Sequence, residues 1–574
     1  MKHLFLQFKS TITLILTLLP ALSQAEPVDL LLARRQAESI IGKPMLQLQP
    51  AETRSLNACP PKYYIFRASD GIGFCIMAAD DVLPPILGYS RESHVTQAEA
   101  IPDALKLYLQ NIALLEGTEA YSPSQNTEPS VEPLCPCDWG QDAPYNNLCP
   151  KKNGQTCPTG CVATALAQIM YHWQWPKQGK GYSWAKDGNG ATYSGTLEHT
   201  YDWAAMRPTT GENLNSEAAS IAVATLLYDC GLSVNMNYDT DGSGAVSPIK
   251  ALSTNFGYIP TTLRIHHREC YTAEEWMALI KNELIKGRPI YYAAASETNG
   301  GKDAAGHAFV IDGYDTGDNV HINWGWDGTW NGYFPLARMN PGSYKFNLRQ
   351  QMTIGIEPAR NGETGTPIEY PYIGEDLKCN VSGSIQKSQT FTVTVANISN
   401  PNANSHSWQL SMGIYDITGQ LLGEVKSGRV PPISLEPGYY LGSGVNITCK
   451  ISDNYSDGLY AIRLMFREAG TEKWLLPDMV GGWLKNGIYI KIANKRVFFT
   501  DGTEYIATAV NDLQQKEEKV PNAAGLASDN LTRVYDTAGR LVYTAPTRQF
   551  NLWDVPARGI LVVKQGNKAR TVVR

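Results

Sequence analysis

The segment Gln155-Thr-Cys-Pro-Thr-Gly-Cys161-Val-Ala-Thr-Ala-Leu-Ala-Gln-Ile-Met170 constrains this chain more than any other. Its second half is almost wholly apolar, so a helix formed there belongs inside a core and not on a surface. A cysteine at the first turn of such a helix sits where unpaired backbone N–H groups and the helix dipole favour negative charge. The thiolate is the nucleophilic form, so Cys161 is expected to be reactive. Gln155, six residues upstream, can turn its amide toward an oxygen that becomes negative when a carbonyl is attacked. Far downstream, Gly306-His307-Ala-Phe-Val-Ile-Asp-Gly313 places a histidine between two small residues at the mouth of an apolar strand, and Asn323-Trp324-Gly-Trp326 follows. His307 can take the thiol proton and return it to a leaving amine. A nucleophile, a base and an oxyanion donor are thus all present.

The order Gln155, Cys161, His307, Asn323 resembles that of papain-like cysteine peptidases. The motifs Gly160-Cys161-Val-Ala-Thr-Ala, Gln168-Ile-Met, Gly306-His-Ala-Phe-Val-Ile-Asp-Gly313 and Asn323-Trp-Gly-Trp326 narrow this to a resemblance to the streptopain family, over residues 60 to 340. The resemblance implies a secreted endopeptidase made as an inactive precursor. It makes Cys161 the nucleophile, His307 the general base and acid, and Gln155 the oxyanion donor. The group that orients His307 is the side chain of Asn323 or a backbone carbonyl of the Asn323-Trp324 pair. The resemblance implies no cofactor and no metal, with protein or peptide substrates and the chain's own propeptide as inhibitor. The family's taste for bulky apolar residues two before the cleaved bond would draw its wall from 232–238 and 241–246. Those residues serve equally as a core strand and a turn.

Lys2, His3 and Lys9, the apolar run from Ile12 to Leu22 and small residues before position 26 form an export signal over 1–25. No later stretch is long and apolar enough for an integral membrane span, so the expectation is a secreted or surface-attached protein. With 49 basic against 55 acidic residues and a net charge of -6, nothing favours nucleic acid. Eleven cysteines behind an export signal raise the expectation of disulfides. With Cys161 kept free, the others fall by region into Cys59 with Cys75, Cys230 with Cys270, Cys379 with Cys449, and the cluster Cys135, Cys137, Cys149 and Cys157. A zinc reading of that cluster is the weaker one, because Cys135-Pro-Cys137 is a residue short of the common ligand spacing.

The fold class expected is α+β. Residues 26–132 read as an α+β propeptide, with a helix over 27–41, strands at 63–66 and 73–77, and linker composition at 121–130. Residues 133–362 read as the papain-like domain. It should hold the Cys161 helix, a helix over 215–228, another starting at Pro248, and a third behind the capping box Thr272-Ala-Glu-Glu275. A strand at 289–295, a loop at 296–306 and the His307 strand follow. Period-two runs at 390–396, 408–414 and 458–464 predict an all-β, immunoglobulin-like domain over 366–500. Residues 520–574 read as two hairpins, with Gly566-Asn567 in the second turn. They resemble the sorting domain of the type IX secretion system, which would make that machinery a partner. Two other functions stay open at this point: a Cys-His transglutaminase or amidase, and an inert peptidase-like scaffold that acts as a surface adhesin or binding protein.

Overall fold

The computed structural model describes residues 27–48, 62–95, 101–113, 130–208, 216–365, 369–505 and 508, apart from 82, 241, 244–247, 272, 297–305, 337–347, 403 and 482–486. It also describes four strands between 531 and 573. The export signal, Cys59, most of the 121–130 linker, the 297–305 loop, Thr272 and the Gly566-Asn567 turn lie outside the described residues.

The amino-terminal region runs α1 (Leu30–Ile41), β1 (Met45–Leu48), β2 (Tyr63–Ala68), β3 (Ile72–Ala78), β4 (Ile86–His94) and α2 (Asp103–Ala113). Asp29 starts α1 by accepting hydrogen bonds from the Leu31 and Leu32 amides, and Gly42, at φ 78°, ends it. The central region runs β5 (Lys151–Lys152), β6 (Gln155–Thr156), α3 (Cys161–Trp173), β7 (Tyr182–Asp187), β8 (Thr192–Thr196), α4 (Glu217–Ser233), β9 (Asn237–Tyr238) and α5 (Ile249–Thr254). It continues with β10 (Arg264–His267), α6 (Ala273–Ile285), β11 (Ile290–Ser296), β12 (Gly306–Tyr314), β13 (Val320–Asn323), β14 (Gly332–Phe334) and β15 (Leu348–Ile354).

Both regions share one ten-stranded sheet, ordered β1-β2-β3-β4-β14-β13-β12-β11-β15-β10. The junction is narrow, since β4 meets β14 at Tyr89 opposite Tyr333. Those two rings stack at 5.4 Å, and the Tyr89 hydroxyl donates to Asp315 at 2.8 Å. Gly332 permits the approach: a Cβ there would lie 2.4 Å from the Tyr89 carbonyl oxygen. Successive residues of β12 point to opposite faces. Ala308 and Val310 enter a core with α3 and α4, whereas Phe309 and Ile311 enter a second core with Trp276, Leu279 and Ile280 of α6. Helices packed on both faces of a largely antiparallel sheet make this an α+β architecture.

From residue 369 the chain builds, together with a further four-stranded sheet that contains one parallel pair, a sandwich of two facing antiparallel sheets. Thr390–Val395 lies between Lys378–Cys379 and Val445–Lys450 in one, and His406–Tyr415 pairs with Gly458–Glu468 in the other. Phe391, Ile447, Trp408 and Leu464 share the core between them. The last four strands, Leu531–Asp536, Leu541–Pro546, Ile560–Gln565 and Lys568–Val573, form a separate antiparallel sheet of two hairpins.

Two expectations change. The helix expected to stop at Tyr228 continues to Ser233. Its added turn is held from outside: buried Asp229 accepts from the Tyr201 hydroxyl at 2.9 Å and meets His199 Nδ1 at 2.9 Å. The disulfide scheme is also overturned, because Cys75, Cys135, Cys137, Cys149, Cys157, Cys230, Cys270, Cys379 and Cys449 are all free. Cys379 and Cys449 sit on strands either side of Thr390–Val395, opposite Val393 and Phe391. Two strand spacings, about 9–10 Å, exceed the reach of about 7 Å that a disulfide allows between Cα atoms. Cys230 packs its sulfur against Met170 Sδ at 3.6 Å and Cys75 against Met77 Sδ at 3.3 Å, so both serve as small core hydrophobes. Burial pushes the Cys75, Cys149 and Cys449 thiols up to about 12.

Candidate active site

Helix α3 begins at Cys161 behind Gly160, whose φ of 87° no other residue adopts easily. A Cβ at Gly160 would also lie 2.7 Å from Met236 Cε and 2.9 Å from the Ser243 carbonyl oxygen. No side chain caps the helix, so its first amides are left for another acceptor. Val162 to Tyr171 are all buried, which fixes the helix and leaves Cys161 half-buried at its tip. Burial pushes the Cys161 thiol up, while the backbone amides of Ala308, Val162 and Cys161 itself pull it down. Ala308 belongs to β12, the strand that starts at Gly306 and carries His307. Cys161 and His307 line one cleft of about 390 Å³.

Gln155 reaches this cleft from the exposed β5–β6 hairpin, paired with Lys152 across an Asn153-Gly154 turn. A second glutamine, Gln141, lines the same cleft and is held much more firmly. Its carbonyl accepts from the Thr159 amide at 3.0 Å, two residues before Cys161. Its neighbour Trp139 accepts at its carbonyl from Gln168 Nε2 of α3 at 3.0 Å. Sequence reasoning missed Gln141 because nothing local joins it to Cys161. The available signal was the polar Gln168 inside an otherwise apolar helix, which had to have a buried partner.

Asn323 and Trp324 are placed differently from Gln155, Cys161 and His307. Asn323 is buried at the end of β13, donating Nδ2 to the Cys137 carbonyl at 2.6 Å and accepting the Gly325 amide at 3.1 Å. Its side chain is therefore committed to the turn that follows it. Trp324 is a core residue: its ring lies 4.9 Å from Phe309 and its Nε1 donates to the Trp330 carbonyl at 3.0 Å. Trp326, two residues on, lines the cleft instead. Gly325 lets this turn rest on α3, where a Cβ would meet Thr164 Cγ2 at 3.0 Å. Of the apolar wall expected from 232–238 and 241–246, Gly242 and Ser243 reach the cleft, while Leu232, Met236 and Tyr238 are buried in the core.

Two other histidines, His172 and His321, have structural partners. His172 bridges the Leu134 and Gly287 carbonyls at 2.9 and 3.0 Å, and His321 Nδ1 meets Asp312 Oδ1 at 2.6 Å. Asp327 borders the cleft with its carboxylate against Gly140 and beside the Tyr145 hydroxyl. Desolvation, with Asp142 and Asp138 adding to it, raises its pKa to about 6 although the Tyr145 hydroxyl pulls the other way.

Residues 139–334 match the Peptidase C10 family, and residues 25–114 match the Spi protease inhibitor family. The chain is 31% identical over 544 residues to the thiol protease/hemagglutinin PrtT of Porphyromonas gingivalis, covering 86% of this chain and 60% of that protein. It is 32% identical over 330 residues to streptopain of Streptococcus pyogenes, covering 51% of this chain and 80% of streptopain. Among solved structures, a prointerpain A fragment of Prevotella intermedia is 33% identical, with 55% of this chain and 99% of that chain covered and a TM-score of 0.45. An α+β fold with a cysteine at a buried helix tip facing a histidine strand defines a cysteine peptidase class. Within it, this chain belongs to the Peptidase C10 family, with a Spi-type domain ahead of the peptidase domain. It spans 60% of the length of the PrtT protein.

Proposed function

We propose that this chain is the zymogen of a secreted cysteine endopeptidase that cleaves host or environmental proteins. Cys161 attacks the peptide carbonyl, and His307 takes its proton and then passes it to the leaving amine. The observation that carries this reading is that Cys161, at the first turn of the buried helix α3, and His307, at the start of β12, line one cleft. The amides of α3 and one glutamine stabilise the oxyanion. Gln141 is the stronger candidate because the Thr159 amide holds its carbonyl and Gln168 of α3 holds the carbonyl of Trp139 two residues earlier, and Gln155 is the alternative. With the Asn323 side chain engaged elsewhere, a backbone carbonyl of the Asn323-Trp324 pair orients His307, and Trp326 shields the ion pair.

The amino-terminal region is the inhibitory propeptide in this reading. Its strand β4 joins the peptidase sheet beside the turn that carries Trp326, and Ser93 Oγ donates to the Gly328 carbonyl at 3.0 Å. A cut within 114–130 releases it. The raised Cys161 thiol suits a latent state in which the ion pair is not yet formed. Residues 1–25 direct export, and the strands after 531 act as a type IX sorting domain.

The test follows the intact mass of residues 26–574 under mild reduction with a thiol-reactive epoxide, for the wild type and Cys161→Ala. Loss of the amino-terminal region and one adduct in the wild type alone support the reading. Both proteins remaining intact and unlabelled, even after limited external proteolysis, would overturn it.

A further inference from the structure

We infer that the β-sandwich after residue 369 is a docked partner of the peptidase domain that stays bound to it when the connecting segment is cut. β10 is the outermost strand of the ten-stranded sheet, and an open sheet edge invites pairing with other chains. The sandwich covers this end through polar contacts of high specificity. Arg264 of β10 donates Nη2 to Asp478 Oδ1 at 2.8 Å, with both side chains largely buried, and its guanidinium lies 4.0 Å from the centre of the Tyr370 ring. The Tyr372 hydroxyl donates to Glu269 Oε1 at 2.6 Å, and the Gly481 amide donates to the Glu269 carbonyl at 2.7 Å. The His267 and Tyr372 rings lie 4.6 Å apart.

Inside the sandwich, Tyr372–Ile373 and Asp478–Met479 pair in parallel, so residues far apart in sequence present one combined surface to β10. A charge pair shielded from water, a guanidinium on an aromatic face and a backbone hydrogen bond across the same seam fit a lasting interface and not a chance contact of tethered domains. The contacts also reach the catalytic strand, because β10 pairs with β15, β15 with β11, and β11 with the His307 strand β12. The connecting segment, by contrast, is exposed at 360–362 and again at 364–365, where a protease can reach it. A cut there would leave a two-part enzyme whose β-sandwich is still in place.

The experiment uses the full chain with Cys161→Ala, so that it does not cut itself, and a site for a specific external protease inserted after Gly362. After complete cutting, size-exclusion chromatography with mass detection at micromolar concentration should give one peak holding both parts. Arg264→Ala, Asp478→Ala and Glu269→Ala should each split it into two peaks once cut, with uncut variants checked for folding by circular dichroism. Separation of the unsubstituted parts would overturn the inference. So would co-elution in all three variants, since another surface would then hold the parts together.

Discussion

Asn323 Nδ2 donates to the Cys137 carbonyl across 2.6 Å, joining the strand beside His307 to the segment that leads into Gln141. Two walls of the cleft that are far apart in sequence are therefore set by one buried amide, which also holds the Gly325 amide at 3.1 Å. Asn323→Ala leaves both backbone groups buried and unpaired. The expected loss is about 2 kcal/mol or more of stability, measured by urea unfolding, with activity falling in step. An activity loss at unchanged stability would instead assign Asn323 a direct role at His307.

Cys161→Ala and His307→Ala should each lower peptide hydrolysis by at least about 10³-fold, the scale seen when a member of a catalytic unit is removed. Thermal unfolding should shift little for Cys161→Ala, because the small side chain is half-buried at the helix tip and only partly packed against the core. Steady-state rates on a quenched peptide, with matched melting curves, check both statements.

The two glutamines make opposite predictions. Loss of an oxyanion donor costs about 10²–10³ in kcat, and Gln141→Ala should show that loss with KM nearly unchanged. Gln155→Ala, on an exposed hairpin, should stay within about threefold of the wild type, far below that scale. The reverse pattern would return the role to Gln155.

Gly160→Ala forces a side chain into a left-handed backbone and against Met236 and the Ser243 carbonyl. A destabilisation of about 2 kcal/mol or more is expected from strain and overpacking together. Because the shift falls at the first turn of α3, epoxide labelling of Cys161 should slow as well. Differential scanning calorimetry and labelling rates measure the two effects separately.

Asp327 supplies a pH signature. Its folded pKa of about 6 lies above the ordinary carboxylate value of 3.8. The folded state therefore holds this proton more tightly than the unfolded chain does, and stability from this group falls as pH rises between those two values. Asp327→Asn should melt higher than the wild type at pH 7.5 and nearly level with it at pH 3.5. Equal differences at both pH values would show that the carboxylate's charge is not the cause.

The sequence by itself determined the parts whose signals are local. The apolar run after Cys161 specified a buried helix, and the strand around His307 and the period-two runs after residue 369 specified sheets, because helix and strand periodicities are written in consecutive residues. Cys161 and His307, which the structure places on one cleft, stand out as candidates for the same reason: each sits at the start of a strongly patterned element with small residues beside it. What only the tertiary structure decided depends on partners far along the chain. Gln141 reaches the cleft through hydrogen bonds to Thr159 and, via Trp139, to Gln168, none of which is implied by spacing. The Asn323 side chain is taken up by the Cys137 carbonyl and the Gly325 amide, and Trp326 lines the cleft while Trp324 lies in the core. Cys379 and Cys449, paired by region, remained thiols because a strand stands between them. Local patterns fix which elements form, whereas side-chain roles at a site are set by whichever donors and acceptors the packed elements bring within about 3 Å of each other.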